Sequence, residues 1–408
     1  MSRHSRCAAD TVGLPGTRAL ERSLAAMDEL DGTPWENLVV ARRDRCARDE
    51  ARVADGPLAG LVGVVKDNID LADLPTRCGS DASSAAPAIE DAAAARPVRS
   101  AGAVIAGKAH MHEWGAGVSG LVSRDGPARH PIDAARITGG SSSGPAALVA
   151  LGVVDFALAT DTGASVRTPA ALCGCVGLVP RQDAIPRDGV QPLNPTLDRV
   201  GILARDVSTA RAIWSVFSST APAAPRSLRI GVVDTGATAP VNLGIDAAVR
   251  VLSRDHDVSR VTFDGADRLR SIYRVVSAYE VADLVGGLGE RAALLQPELR
   301  AVLAATTFPD ETTYREALAA LAVTRATEAA LWGVDVLLLP TVPVTSPRAV
   351  NVDLRMRARL LDACTPFSVL DWPALSVPAA VGGLPVGVQL VGVTVGESEL
   401  LDLGSQIS

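Results

Sequence analysis

The spacing of apolar positions changes character several times along the chain. In "TRALERSLAAMDEL" they recur at helical intervals, and "WENLVVARRDRCARDEARVA" continues after a Gly-Thr-Pro break, so residues 1–55 read as N-terminal helices. The pattern then shortens to apolar runs held between Gly and Pro. Residues 62–65 read as a buried strand that ends on Lys66. "AAARPVRSAGAVIAGKAH" follows as a helix, a glycine and a strand over 104–106. The central block reads as a loop over 139–144 and a helix opening at Pro145 and stopping at Gly152. After it come a strand over "VVDFALAT", a loop "DTGAS", a short helix "TPAALCG" and a strand "VGLVP". Proline in a first turn and glycine past a last turn are ordinary start and stop signals.

Beyond residue 208 the pattern is mostly helical to about 335, interrupted by a strand in "SLRIGVVD". "DVLLLPTVPV" reads as another buried strand, and the last fifty residues as strands and turns before a short helix, "ESELLDLGSQ". Strands alternating with helices predict an α/β architecture with functional loops at strand ends. "SSTAPAAPRS" (218–227) is the best linker candidate, and it is too short to separate independent domains.

Composition narrows the partners. At 408 residues and 48% hydrophobic, the chain can bury a sizeable core. A net charge of −7 offers no field for nucleic acid, and no Lys/Arg run resembles a membrane anchor, so neither partner is expected. "MSRHSRCAAD" lacks the apolar centre of a secretory signal. The longest uncharged run carries three Pro and five Gly and reads as strands and turns, so a cytoplasmic location is expected. Six Cys do not make a disulfide scaffold, and Cys173 and Cys175 read as small buried residues rather than a metal pair. One count points to chemistry. Of the 39 basic residues only Lys66 and Lys108 are lysines. Arginine keeps its proton at any ordinary pH, whereas a desolvated lysine can lose it and act as a base.

Several chemistries compete for the two Gly/Ser clusters, "ITGGSSSGP" and "ATDTGASVRTP". No lysine follows the first, which excludes a Walker loop, and the segment before it is a poor strand for a dinucleotide fingerprint. Residues 140–144 formally match Gly-x-Ser-x-Gly, but the only later histidine is His256, in the charged stretch "SRDHDVSR", which reads as a surface loop. His110 and His112 lack further ligands at strand ends and read as the start of a helix. A serine mechanism without histidine remains. Lys66 would be the base, and the loop from Asp161 to Ser165 would supply a serine and free N–H groups.

These residues resemble the amidase signature family. "GGSSSGPAALVALGVVDFALATDTGASVRTPAALCGCVGL" is similar to its signature, and "GPLAGLVGVVKDNIDLADLPTRCGS", "AGAVIAGKAHMHEW", "LLLPTVPV" and "PALSVPAAVGGLPVGVQLVG" carry the likeness through most of the chain. The resemblance implies one α/β domain, a mixed many-stranded sheet between helical layers, over residues 1–408. Within it, 60–205 would form the catalytic core, 210–335 a variable substrate-pocket region, and 336–408 the strands completing the core. It implies a Ser-cisSer-Lys triad: Lys66 as base, Ser141 as relay after a cis peptide bond, and Ser165 as nucleophile. Backbone N–H groups of Thr162, Gly163, Ala164 and Ser165 would form the oxyanion hole, and Ser142, Asp161 and Arg167 would support the site. The implied activity is hydrolysis of a small carboxylic amide, without cofactor or metal, and homodimers are common among such proteins. Two alternatives stay open: the glutaminase-type subunit of a tRNA-dependent amidotransferase, and a non-catalytic binding member. The second rests on Ala164, which stands where such proteins usually have glycine and would be strained at positive φ.

Overall fold

A computed structural model describes residues 15–218, 226–379 and 381–408. Most of the expected linker, 219–225, and the stretch considered as a secretory signal lie outside these residues. The described residues form one mixed sheet of eleven strands with thirteen α-helices. The strands are Val39–Arg42 (β1), Val62–Lys66 (β2), Val104–Ala109 (β3), Phe156–Asp161 (β4), Val176–Val179 (β5) and Arg199–Ala204 (β6). They continue with Arg229–Val233 (β7), Asp257–Val261 (β8), Val336–Pro340 (β9), Ala374–Pro378 (β10) and Gly387–Gly392 (β11). Their order across the sheet is β1-β3-β2-β4-β6-β5-β10-β11-β9-β7-β8. β3, β2 and β4 run parallel, as do β9, β7 and β8; antiparallel strands fill the stretch between them.

The central strands are buried on both faces, so they read as continuous apolar runs rather than as alternation. Their side chains still alternate in destination. Val65, Ile105, Phe156 and Leu158 enter a core shared with helices Ala95–Ser100, Val207–Trp214 and Glu397–Ile407. Val62, Val64, Ala157 and Ala159 enter a second core on the opposite face. There they meet helices Pro15–Asp28, Asp44–Val53, Ser143–Ala150 and Arg167–Cys173. Two helical layers therefore clamp the sheet, each satisfying one set of alternate residues. A third core, built on Leu269, Ile272, Val276 and Phe367, packs the long helix Ala266–Leu288 over β9 and β11.

Three elements differ from the reading of the sequence. Residues 39–42 form edge strand β1, antiparallel to β3, within what reads as continuous helix. The helical spacing yields there to an available sheet edge, which the β-branched Val39 and Val40 suit. Strand β6 was not expected at 199–204, yet it pairs with both β4 and β5. His256 precedes not a loop but β8, the opposite edge strand, whose residues are largely exposed. No helix among the described residues is long and apolar enough to cross a membrane.

Candidate active site

β2 and β4 lie side by side and parallel, so their C-terminal ends deliver Lys66 and Asp161 to the same edge of the sheet. Lys66 has no solvent exposure. Its Nζ lies 2.7 Å from the Ser141 Oγ, 2.8 Å from the Thr160 Oγ1 and 3.3 Å from the Thr160 carbonyl oxygen. Burial lowers its pKa to about 7, against the carboxylates of Asp198 and Asp161, which pull upward. The other lysine, Lys108, is also buried but is held by Asp67 at 3.3 Å, the Pro75 carbonyl and the Thr76 hydroxyl. It fastens the loop after β2 to β3 and does not enter the site.

The two Gly/Ser clusters meet as backbone. Gly139 takes φ +78°, a conformation that suits glycine, and the Gly140–Ser141 peptide bond is cis. The Ser142 N–H donates to the Ser165 carbonyl at 3.2 Å, and the Ser142 Oγ to the Thr160 carbonyl at 3.3 Å. The Ser141 carbonyl accepts from the His112 N–H at 3.0 Å. Lys66, Ser141, Ser142 and Ser165 are thus brought to one place by three segments far apart in sequence.

Asp161 and Arg167 brace the second cluster from below. Both are fully buried and paired at 2.8 Å. Asp161 Oδ2 accepts the Val166 N–H at 2.9 Å, and Arg167 also donates to the Gly163 carbonyl at 2.9 Å and the Ser368 Oγ at 2.8 Å. Burial pushes the Asp161 carboxyl up, but Arg167 and Arg199 outweigh it and hold it below its ordinary value. With the Gly163 carbonyl turned towards Arg167, the loop's N–H groups are left for another acceptor. Among the described residues the Gly163, Ala164 and Ser165 N–H groups donate to none. Ala164 is buried and is not among the residues at positive φ, so its methyl group brings no backbone strain. The support for a non-catalytic reading is removed. Gly163 is the constrained position: a Cβ there would lie 2.5 Å from the Tyr273 Oη.

Ser165 is 8% exposed and opens into a cavity of about 330 Å³. Thr162 and Gly163 line it beside Ser165, and the helices Ala266–Leu288, Pro297–Ala305 and Leu354–Leu361 supply its far walls. The lining thus comes from residues 273–308 and from the C-terminal part of the chain, through Leu354, Arg357 and Leu361. His112 lines the cavity as well. Burial, and then the charge of Arg357, hold its pKa down to about 3.

Sequence reasoning missed Thr160, Asp198 and Tyr273. Thr160 is the residue before Asp161 on β4, and nothing in its type separates it from any strand threonine. Asp198 binds the Thr162 hydroxyl at 2.5 Å and the Leu193 and Asn194 N–H groups, tying the loop after β4 to the turn before β6. His110 contacts the Ser143 hydroxyl and the Gly126 carbonyl in the core, and His256 sits at the far edge of the sheet. Seven strand positions separate β8 from β4, roughly 30 Å, so no Ser-His pair forms. Among the described residues no group of three or more His, Cys, Asp or Glu could hold a metal ion.

This geometry coincides with a family match: the model of the amidase family covers residues 38–401. The chain belongs to the amidase family. It is 32% identical over 406 residues to a glutamyl-tRNA(Gln) amidotransferase subunit of Halobacterium salinarum, covering 87% of this chain and 96% of that one. A crystal structure of an amidase matches with a TM-score of 0.85 at 32% identity, covering 96% and 95% of the two chains. An inhibitor-bound complex tied to the origins of an s-triazine catabolic enzyme matches at 0.87 and 28% identity, over 96% and 94%. The relatives correct one expectation. A chain without nucleic-acid partners was expected from its acidity, yet several relatives are by name subunits of a tRNA amidotransferase. Net charge sums over the whole surface and cannot report on a local contact or on what a companion subunit binds.

Proposed function

We propose that this amidase-family chain cleaves the C–N bond of a carboxylic amide through an acyl-enzyme on Ser165. The observation that carries the reading is Lys66: a dry amine with a pKa near 7, 2.7 Å from the Ser141 Oγ. A neutral amine keeps two N–H groups, and the two oxygens of Thr160 can take both. Its lone pair is then turned to Ser141. Lys66 removes the Ser141 proton as Ser141 removes that of Ser165, and the Ser165 Oγ attacks the amide carbonyl. The developing oxyanion is held by N–H groups of the loop from Thr162 to Ser165, which the Asp161–Arg167 pair keeps in place. The proton returns through Ser141 to the departing nitrogen, and water releases the acid by the reverse relay.

The relatives favour one setting for this chemistry: the amide-cleaving subunit of a tRNA-dependent amidotransferase, rather than an enzyme acting alone. Their names and near full-length coverage support it. The chemistry is tested by labelling with a fluorophosphonate and mapping the adduct. Modification of Ser165, lost in Ser165→Ala, is expected; a folded protein that never labels would defeat the reading. The setting is tested by co-expression with candidate partner subunits and assay of glutamine-dependent, tRNA-linked amide transfer. Unaltered amide hydrolysis with no stable complex would return the chain to a free-standing amidase.

A further inference from the structure

The cavity in front of Ser165 is walled mainly by aliphatic side chains, among them Val118, Leu193, Val281, Leu299 and Leu361. Three charged residues line it: Arg274, Glu298 and Arg357. Arg274 is exposed and its guanidinium donates to the Ser271 Oγ, one turn away, at 2.8 Å. Glu298 is exposed on the helix Pro297–Ala305, where water screens it. Arg357 differs from both. It is half-buried on the helix Leu354–Leu361, its Nε is shut away from solvent without a partner, and no described acid pairs with it. It lies close enough to His112 for its charge to disfavour the imidazolium.

A guanidinium whose N–H is shut away from water beside aliphatic walls gives up hydration and gains nothing back until an acceptor arrives. Its planar fork matches a carboxylate through two parallel hydrogen bonds. We infer that Arg357 binds a carboxylate on the acyl part of the substrate, so that the preferred substrates are monoamides of dicarboxylic acids with an aliphatic spacer. This rests on the proposed amide chemistry for Ser165 and names the substrate class of that site. Spacer length sets whether the carboxylate reaches Arg357 while the amide carbonyl reaches the loop at Gly163. The aliphatic walls suit the spacer and contribute no competing acceptor for the guanidinium.

The test separates binding from chemistry. In Ser165→Ala, calorimetry measures affinity for succinamate, glutaramate and adipamate against the neutral butanamide, pentanamide and hexanamide. At least one carboxylated amide is expected to bind about tenfold or more tightly than its neutral counterpart, the usual range for a charge-assisted pair. Adding Arg357→Met should remove that advantage, and Arg357→Lys should restore only part of it, since lysine keeps the charge without the fork. Wild-type turnover of the same six amides should show the same order in kcat/KM. No preference for any carboxylated amide would overturn the inference, and so would a larger loss in Arg274→Met than in Arg357→Met. If glutaramate binds through Arg357 but no amide is ever hydrolysed, the chemistry assigned to Ser165 fails while the carboxylate site stands.

Discussion

The proton on Lys66 should govern the reactivity of Ser165 near neutral pH. An ordinary lysine, with a pKa near 10.4, is neutral at pH 7 in only a few molecules per ten thousand. At about 7, where burial brings Lys66, roughly half are neutral. The gain in competent base is on the order of a thousandfold, or about 5 kcal/mol between the two protonation states. The sign follows directly. In the proposed relay the neutral form is the base, so reactivity should be lost as pH falls through 7 and level off above it. The assay is the rate of Ser165 modification by a fluorophosphonate across the neutral range, which requires no knowledge of the substrate. His112 cannot produce this limb, because burial and Arg357 hold its imidazole neutral down to about 3. Lys66→Arg keeps a cation at the position but not a base, and its labelling at pH 7 should drop by about a thousandfold in folded protein. A limb near 10, or Lys66→Arg labelling as fast as the parent, would refute the argument.

Four further outcomes follow from the same contacts. Asp198→Asn removes a carboxylate that raises the Lys66 pKa, so the acid limb should move below 7; a limb moving upward would contradict the electrostatics. Arg167→Met leaves Asp161 buried and unpaired and should cost about 3–5 kcal/mol in chemical denaturation, with part recovered in the double variant Asp161→Asn/Arg167→Met. Ala164→Gly should leave labelling of Ser165 nearly unaltered and lower stability by at most about 1 kcal/mol, because glycine gains no special backbone conformation there. Gly163→Ala should slow labelling strongly, since its Cβ would lie against the Tyr273 ring.

Much of the fold is legible in the chain because the forces that form its elements are local. Apolar runs bounded by Gly and Pro mark β2, β3, β4, β5, β7 and β9, since a strand buried on both faces is apolar at most of its positions. The scarcity of lysine singles out Lys66, and the resemblance to a known family names Ser141 and Ser165 beside it. Local pattern fails where a segment's fate rests on a distant partner. Residues 39–42 are a strand only because β3 offers an edge, and β6 exists because β4 and β5 both need a neighbour.

The division is sharper at the site. By itself the sequence determined which side chains are available: two lysines, two Gly/Ser clusters, and an Asp161 and an Arg167 at either end of the second cluster. Tertiary structure alone decided their state. The pKa of Lys66 depends on how completely β2 and β4 exclude water, which no residue type encodes. Thr160 becomes a partner of Lys66 through the parallel register of those strands, and Arg357 lines the cavity beside Ser165 only because its helix packs there from the far end of the chain. Desolvation and charge proximity act through space, between residues as much as 222 positions apart, and so appear only once the chain is folded.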